Sequence, residues 1–243
     1  MAIIECSNLT KVFRLAHEPR RSVKESLAAM LRPRVYEQFK AIDNVSLSVA
    51  PGEFISLIGP NGCGKSTLLK IIAGIYQPTS GELTVRDRIS PFLELGVGFN
   101  YDLTARENIY VYGSILGLSR RQVNEKFDDI VRFSELERFI DTPLRNFSSG
   151  MYVRLAFATA VQSDAPILLF DEVLAVGDER FQRKCFALFE KMKYQEKTIV
   201  FVSHTMDSVM RFSDRVILMD RGKKIMEGPP EQVVTAYKAN MKT

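Results

Sequence analysis

The fold of this chain is decided by GPNGCGKS, residues 59–66. The stretch fits the pattern G-x-x-x-x-G-K-[ST], a loop whose glycines let backbone N–H groups surround the phosphates of a nucleotide. The apolar run EFISLIG (53–59) precedes it and predicts a buried strand, and a helical pattern follows it. A strand, this loop and a helix in that order indicate a nucleotide site in which Lys65 reaches the β- and γ-phosphates and Ser66 binds Mg²⁺.

Two further apolar runs end in polar residues that fit the same chemistry. ILLFDE (167–172) predicts a buried strand of a parallel sheet, with Asp171 at its end as a second group for Mg²⁺. One carboxylate is sufficient for binding, so the adjacent Glu172 is a candidate general base that polarises the attacking water. TIVFVSH (198–204) predicts another buried strand, and His204 at its end is a candidate to hydrogen-bond the γ-phosphate and the water.

Buried strands alternate with helices along the chain, which predicts an α/β fold with a largely parallel core sheet. AIDNVSLSV (41–49) alternates like a half-buried strand, and RVILMDRGKKIMEG (215–228) indicates a hairpin that turns at Arg221–Gly222. Helical patterns between residues 105 and 163 interrupt the alternation and predict an inserted helical subdomain. We therefore expect one domain, residues 1–243, with helical insertions.

The composition limits the class of protein. A chain of 243 residues with 46% hydrophobic composition can form one large domain. Its three cysteines are few and widely spaced, which argues against a disulfide framework or a zinc site and favours a reducing cytosol. No apolar run has the length of a transmembrane helix, and the first residues do not resemble a signal peptide, so any role at a membrane requires a partner.

The net charge of +4 is concentrated near the N-terminus. Residues 1–40 carry eight basic and four acidic side chains, and the rest of the chain is balanced. On composition alone such a segment fits a nucleic acid, an anionic membrane surface or a solvated face. Within it, SVKESLAAMLR (22–32) has a capping box at Ser22 and Glu25 and an apolar stripe, which predict a short amphipathic helix.

FSSGMYVRLAFATA (147–160) predicts another helix, and its start is rich in small residues. Such a start leaves free backbone N–H groups and is a good anion site. The phosphate loop lies far upstream, so this second anion site needs its own explanation.

The phosphate loop, the serine-rich helix start, the Asp–Glu pair and the histidine occur in the order found in the nucleotide-binding subunits of ABC transporters, which the whole chain resembles. The resemblance implies an α/β P-loop NTPase fold, with a RecA-like core, an antiparallel β part and an inserted helical signature subdomain. It also implies ATP and Mg²⁺ as ligands, and a two-fold homodimer that holds two ATPs head to tail. The second anion is then the ATP bound by the partner subunit.

The resemblance assigns roles residue by residue. Phe13 would stack on adenine, and Asp178 would cross the dimer interface. The other implied ATP contacts of one subunit are Gly59, Pro60, Asn61, Gly62, Cys63, Gly64, Lys65, Ser66 and Thr67. The signature turn that would face the partner's ATP consists of Ser148, Ser149, Gly150 and Met151.

Three departures from the common family pattern narrow the resemblance. The signature is SSGM rather than SGGQ, and FLELGVGFNYDLTARENI (92–109) lacks the glutamine that in most relatives links the γ-phosphate to the membrane subunit. The third is the insertion at residues 14–40, which contains the amphipathic helix. As a set, these features resemble the ATPases that export O-antigen, capsule or teichoic-acid polysaccharide. In that subfamily the early helix lies near the membrane interface, so we expect a gate-like role; a plain surface helix is the alternative.

The resemblance implies ATP hydrolysis that drives a lipid-linked polysaccharide across the cytoplasmic membrane. The expected assembly is a homodimer of this chain with two copies of a polytopic membrane permease, peripheral on the cytoplasmic face and without nucleic acid. A soluble ABC ATPase acting on nucleic acid or ribosomes is the alternative that the basic segment permits. A catalytically silent regulatory subunit is disfavoured by the presence of Lys65, Glu172 and His204.

Overall fold

The computed structural model describes residues 1–16, 36–93, 95–171 and 178–240. Glu172 and the amphipathic segment at residues 22–32 lie outside the described residues. Within the described ranges the strands are β1 (Ile4–Ala16), β2 (Tyr36–Val49), β3 (Phe54–Ile58), β4 (Ser80–Val85), β5 (Ile89–Phe92), β6 (Ile167–Asp171), β7 (Thr198–Val202), β8 (Arg215–Asp220) and β9 (Lys223–Gly228). The helices are α1 (Lys65–Ile72), α2 (Ala105–Ile115), α3 (Arg120–Ser134), α4 (Ser149–Ala160), α5 (Glu179–Tyr194), α6 (Met206–Phe212) and α7 (Pro230–Asn240).

The larger sheet has six strands in the order β5-β6-β7-β3-β8-β9. All of its neighbouring pairs are parallel except β8 and β9, which form the antiparallel hairpin. The residues of β3 and β7 are all buried, as expected for strands covered on both faces. The predicted α/β fold with a largely parallel core is therefore confirmed.

A second sheet of three antiparallel strands, in the order β2-β1-β4, packs beside the core. The two faces of the larger sheet lie against different clusters. Ile55 and Leu57 share a cluster with residues of α1 and of the smaller sheet. Phe54 belongs to the opposite cluster, which is rich in phenylalanine and includes Phe189 and Phe201. The larger sheet is therefore covered on both faces, by a different apolar cluster on each side.

The helical stretch predicted upstream of α4 is divided into separate helices. Thr104 and Ser119 cap α2 and α3 respectively, each with a reciprocal bond to a Glu or Gln three residues later. Gly117, at φ +81°, lies between them and ends the first run. Among the described residues, no helix is both long enough and apolar enough to cross a bilayer.

Candidate nucleotide-binding site

The register of the parallel strands brings two predicted site residues, Asp171 and His204, to the same edge of the larger sheet as the start of the phosphate loop. Leu57 of β3 pairs with Val202 of β7, and Val202 pairs with Asp171 of β6. The carboxyl ends of these strands are therefore level. Because neighbouring strands are about 4.8 Å apart, Asp171 lies about 10 Å along the sheet from the strand that enters the phosphate loop. His204 is exposed two residues beyond the end of β7, at the same edge.

The phosphate loop turns between β3 and α1 with three glycines at positive φ. Gly59, Gly62 and Gly64 have φ of +145°, +77° and +106°. The Lys65 side chain is only 5% exposed, and its ammonium group donates to the carbonyl oxygens of Gly59 and Pro60, both at 2.9 Å. The cation is thus held at the centre of the loop, where it can meet the β- and γ-phosphates.

The loop is supported from behind by two other strands. A Cβ on Gly64 would lie 2.5 Å from the Ala41 carbonyl oxygen of β2. A Cβ on Gly59 would lie 2.1 Å from the Met219 carbonyl oxygen of β8, so only glycine fits at either position. The β8–β9 turn completes the support, since the Gly222 N–H donates to the Cys63 carbonyl at 3.0 Å.

The thiol of Cys63 is buried within the phosphate loop, beside the Lys65 ammonium group. The residue is 3% exposed, and Lys65 Nζ lies 3.8 Å from its Sγ. Burial raises the pKa of the Cys63 thiol, although the Lys65 ammonium opposes the rise. All three cysteines of the chain are free and buried.

Phe13 lies in β1 close to the strand that supports the phosphate loop. It pairs with Phe39 of β2, two residues before Ala41, whose carbonyl oxygen faces Gly64. Its ring meets Tyr76 edge to face at 5.5 Å between centroids, and it remains partly exposed. This position at the entrance of the loop is compatible with stacking on the base of a nucleotide.

Two side chains near the phosphate loop and the strand ends carry oxygens of the kind that bind magnesium. Ser66 is exposed in the first turn of α1, and Asp171 is half-buried at the end of β6. No group of three or more His, Cys, Asp and Glu in the described part of the chain could hold a metal alone. Mg²⁺ is commonly held by one or two protein oxygens together with substrate phosphates, so a hydroxyl and a carboxylate suffice here.

The SSGM turn forms the N-terminus of α4, away from the phosphate loop in sequence. Ser148 is the cap, and its hydroxyl accepts from the Met151 N–H at 3.2 Å. Ser148 and Ser149 are exposed. The N–H groups of Ser149 and Gly150 have no acceptor within the helix, as at every helix start, and so can bind an anion from outside the chain.

Arg154 connects this helix to Asp178, which caps α5. Asp178 accepts from the Phe181 N–H at 2.9 Å and from the Arg154 guanidinium at 2.5 Å. These donors hold the pKa of Asp178 below its ordinary value, the Phe181 N–H most strongly. Arg154 also pairs with Glu135 at 3.4 Å, whose pKa is lowered chiefly by Lys184. The network fixes the serine-rich turn relative to the start of α5.

The comparisons with known proteins give one family for the chain. A family model described as ABC transporter matches residues 42–175, more than half of the chain. An O-antigen export system ATP-binding protein, RfbB of Klebsiella pneumoniae, is 42% identical over 98% of both chains. The teichoic acids export ATP-binding protein TagH of Enterococcus faecalis is 41% identical over 95% of this chain, which spans about half of that protein.

A solved ATP-binding cassette, MJ0796 in a dimeric post-hydrolysis state with ADP and Pi, superposes with a TM-score of 0.74 at 26% identity. The superposition covers 93% of this chain and 98% of that one. The fold and site together define an ATP-hydrolysing P-loop protein. The chain belongs to the ABC transporter family.

Two features of the site were not predicted from the sequence. The dipeptide Arg221–Gly222 predicted a turn, but nothing in the pattern connected that turn to the phosphate loop 160 residues earlier. Likewise Arg154 and Asp178 were not predicted to be partners. The two residues lie 24 positions apart and belong to separate helices, so no local pattern indicates the pair.

Proposed function

We propose that the chain is the ATP-hydrolysing subunit of an exporter that moves a lipid-linked polysaccharide, such as O-antigen or teichoic acid, across the cytoplasmic membrane. The observation that carries this proposal is the identity of 42% to the Klebsiella O-antigen export protein over nearly the whole length of both chains. The teichoic-acid relative supports the same class of substrate. These names favour export over the nucleic-acid alternative. The role of residues 14–40 as a gate stays a prediction.

In the proposed reaction, Lys65 binds the β- and γ-phosphates and Phe13 holds the base. Mg²⁺, bound through Ser66 and Asp171, would neutralise charge on the phosphates. Glu172 takes a proton from the water whose oxygen attacks the γ-phosphorus, while the bond to the bridging oxygen breaks and ADP leaves. His204 hydrogen-bonds the γ-phosphate.

The second half of each site comes from another copy of the chain. In this arrangement the N–H groups of Ser149 and Gly150, at the start of α4, bind the ATP of the partner. Asp178 lies at the same interface. The dimeric state of the cassette MJ0796 supports this arrangement. A polytopic permease, expected in two copies, would supply the membrane path on which the homodimer acts from the cytoplasmic face.

The isolated chain tests the composite site. Its specific ATPase activity should rise with protein concentration, because each ATP needs Ser149 and Gly150 of a second copy. The variant Glu172→Gln should bind Mg-ATP and form a stable dimer without turnover, since it loses the base and keeps the phosphate contacts. Near wild-type hydrolysis by this variant would show that Glu172 is not the base.

The export role is tested in cells that lack the chain. Surface polysaccharide should return with the wild-type chain and not with Lys65→Ala, and a polytopic membrane protein should co-purify with both. Normal surface polysaccharide in the cells without the chain, or co-purification with ribosomes instead, would contradict the proposed export role while leaving the ATPase assignment intact.

A further inference from the structure

Tyr152, the residue directly after the SSGM turn, is hydrogen-bonded to the loop between β5 and α2, whose described residues are 93 and 95–104. Its hydroxyl donates to the Gly96 carbonyl oxygen at 3.0 Å. The same oxygen accepts from the Phe99 N–H at 2.9 Å, so both of its lone pairs are used. Burial raises the pKa of Tyr152, and the neighbouring Tyr101 adds to the rise.

The loop is shaped to receive this side chain. Gly96 has φ of +78°, and a Cβ there would lie 2.7 Å from both the ring and the hydroxyl of Tyr152. Beyond Gly96 the loop continues around the ring. Tyr101 stacks on Tyr152 with 5.7 Å between centroids, and Phe99 meets it edge to face at 5.2 Å. The ring of Tyr152 accounts for the glycine and the stacking, and the hydroxyl adds a directed bond to the same residue.

The other end of the loop starts at the nucleotide edge of the sheet. Phe92, the last residue of β5, stacks on Phe170 at 4.3 Å, and Phe170 directly precedes Asp171. The carbonyl of Gly96 is four residues further along the chain. Leu95 and Phe99 of the same loop also pack against the cluster that contains Phe92 and Phe170. Contacts between described residues therefore connect the strand that ends in Asp171 with Gly96, and so with Tyr152 in the first turn of α4.

We infer that Tyr152 is a positioning residue that ties the chain's own nucleotide edge to the SSGM turn, so that Ser149 and Gly150 are held in register for the ATP of the partner. The inference rests on the proposed composite site and assigns to it a residue outside the phosphate loop and the SSGM turn. In this role Tyr152 acts through the SSGM turn and not directly on a nucleotide.

The variant Tyr152→Phe removes the hydroxyl and keeps the ring with its stacking. We expect the protein concentration at half-maximal specific ATPase activity to rise about fivefold, the equivalent of one hydrogen bond of about 1 kcal/mol. The Kd of a fluorescent ATP analogue for the dilute chain should not change, because Lys65 and Phe13 lie in the chain's own half-site.

A matched control is Tyr110→Phe. The Tyr110 hydroxyl also donates a bond, to Asn124 at 2.8 Å, and its ring also stacks, on Phe127. It touches neither the loop nor the SSGM turn in these contacts, so its concentration curve should match the wild type. Gly96→Ala provides a second variant and should shift the curve in the same direction as Tyr152→Phe.

An unchanged curve for Tyr152→Phe would overturn the role. The role would also be overturned if the Kd of the ATP analogue for the dilute variant rose by the same factor as the half-maximal protein concentration. Tyr152 would then support the fold as a whole rather than the SSGM turn. A wild-type curve that is flat across dilution would refute the composite site itself, and that failure is visible before any variant is made.

Discussion

Replacing Gly222 with alanine tests whether the β8–β9 turn holds the phosphate loop in place. Gly222 has φ of +78°, and a Cβ there would lie 2.9 Å from the Ala41 carbonyl oxygen. Its N–H donates to Cys63, and its own carbonyl accepts from the Asp43 N–H at 2.8 Å. The turn is therefore bonded to the loop on one side and to β2 on the other.

The expected effect has two parts. An alanine in the left-handed region costs about 1–2 kcal/mol wherever it occurs. The contact with Ala41 is with backbone, so the turn must also move, and loss of the bond to Cys63 adds about 1 kcal/mol. We expect a total loss of about 2–3 kcal/mol in the free energy of unfolding, and an ATP Kd raised about fivefold because the loop loses one support.

The matched control for this change is Gly117→Ala. Gly117 has almost the same φ, +81°, and a Cβ there would meet no atom within 4 Å. It should lose about 1–2 kcal/mol of stability in urea unfolding and keep the wild-type ATP affinity. If the two variants bind ATP equally well in equilibrium titrations with a fluorescent analogue, the turn does not hold the loop and the reasoning is wrong.

Two further predictions concern side chains around the site. A maleimide should label Cys63 in the native chain far more slowly than in the urea-unfolded chain, and the rate should increase as the pH rises toward the raised pKa of the thiol. The adduct should abolish ATP binding, and bound ATP should slow the labelling. The variant Cys63→Ser should keep its ATP binding after the same treatment. Labelling at the rate of a free thiol would place the side chain outside the loop. Arg154→Gln should lower the free energy of unfolding at pH 7, because Arg154 is one of the partners that lower the folded pKa values of Asp178 and Glu135. The stabilisation from a carboxylate with a lowered folded pKa is present above its ordinary pKa and is lost as the pH falls through the folded pKa. The difference in urea unfolding between variant and wild type should therefore shrink at acidic pH, and the exposed pair variant Arg121→Gln should show little difference at any pH.

The elements that the sequence predicted share a strong local signal. The strands β3, β6 and β7 consist almost entirely of apolar residues, and SSGM indicates a helix start by its small residues. The elements that were missed have weaker signals for physical reasons. In β1, Asn8 at φ +52° lies where the register shifts, so the alternation of the strand is broken. In β4 every position is exposed or half-buried, and its sequence SGELTV contains no apolar run.

The site divides in the same way. Lys65, Asp171 and His204 follow strands whose level ends could be inferred from a parallel sheet. The contact of Gly222 with Cys63, and that of Tyr152 with Gly96, join residues far apart in the chain through backbone carbonyls, which accept bonds from any sequence. Single-chain patterns carry no signal for such contacts, apart from the glycine that each requires.

The contacts of Gly222 with Cys63 and of Tyr152 with Gly96 each support a different half of the proposed composite site. In the proposed dimer the phosphate loop and the SSGM turn of one chain bind two different ATP molecules. The ATP bound at one of these features therefore does not hold the other in position. Each must be held by its own chain: the loop by β2 and the β8–β9 turn, the SSGM turn by Tyr152 and Arg154. A variant can therefore bind ATP normally at its own phosphate loop and still present a misplaced SSGM turn to the ATP of the partner. Variants of Gly222 should then impair ATP binding at any dilution, whereas variants of Tyr152 should act only where dimers form.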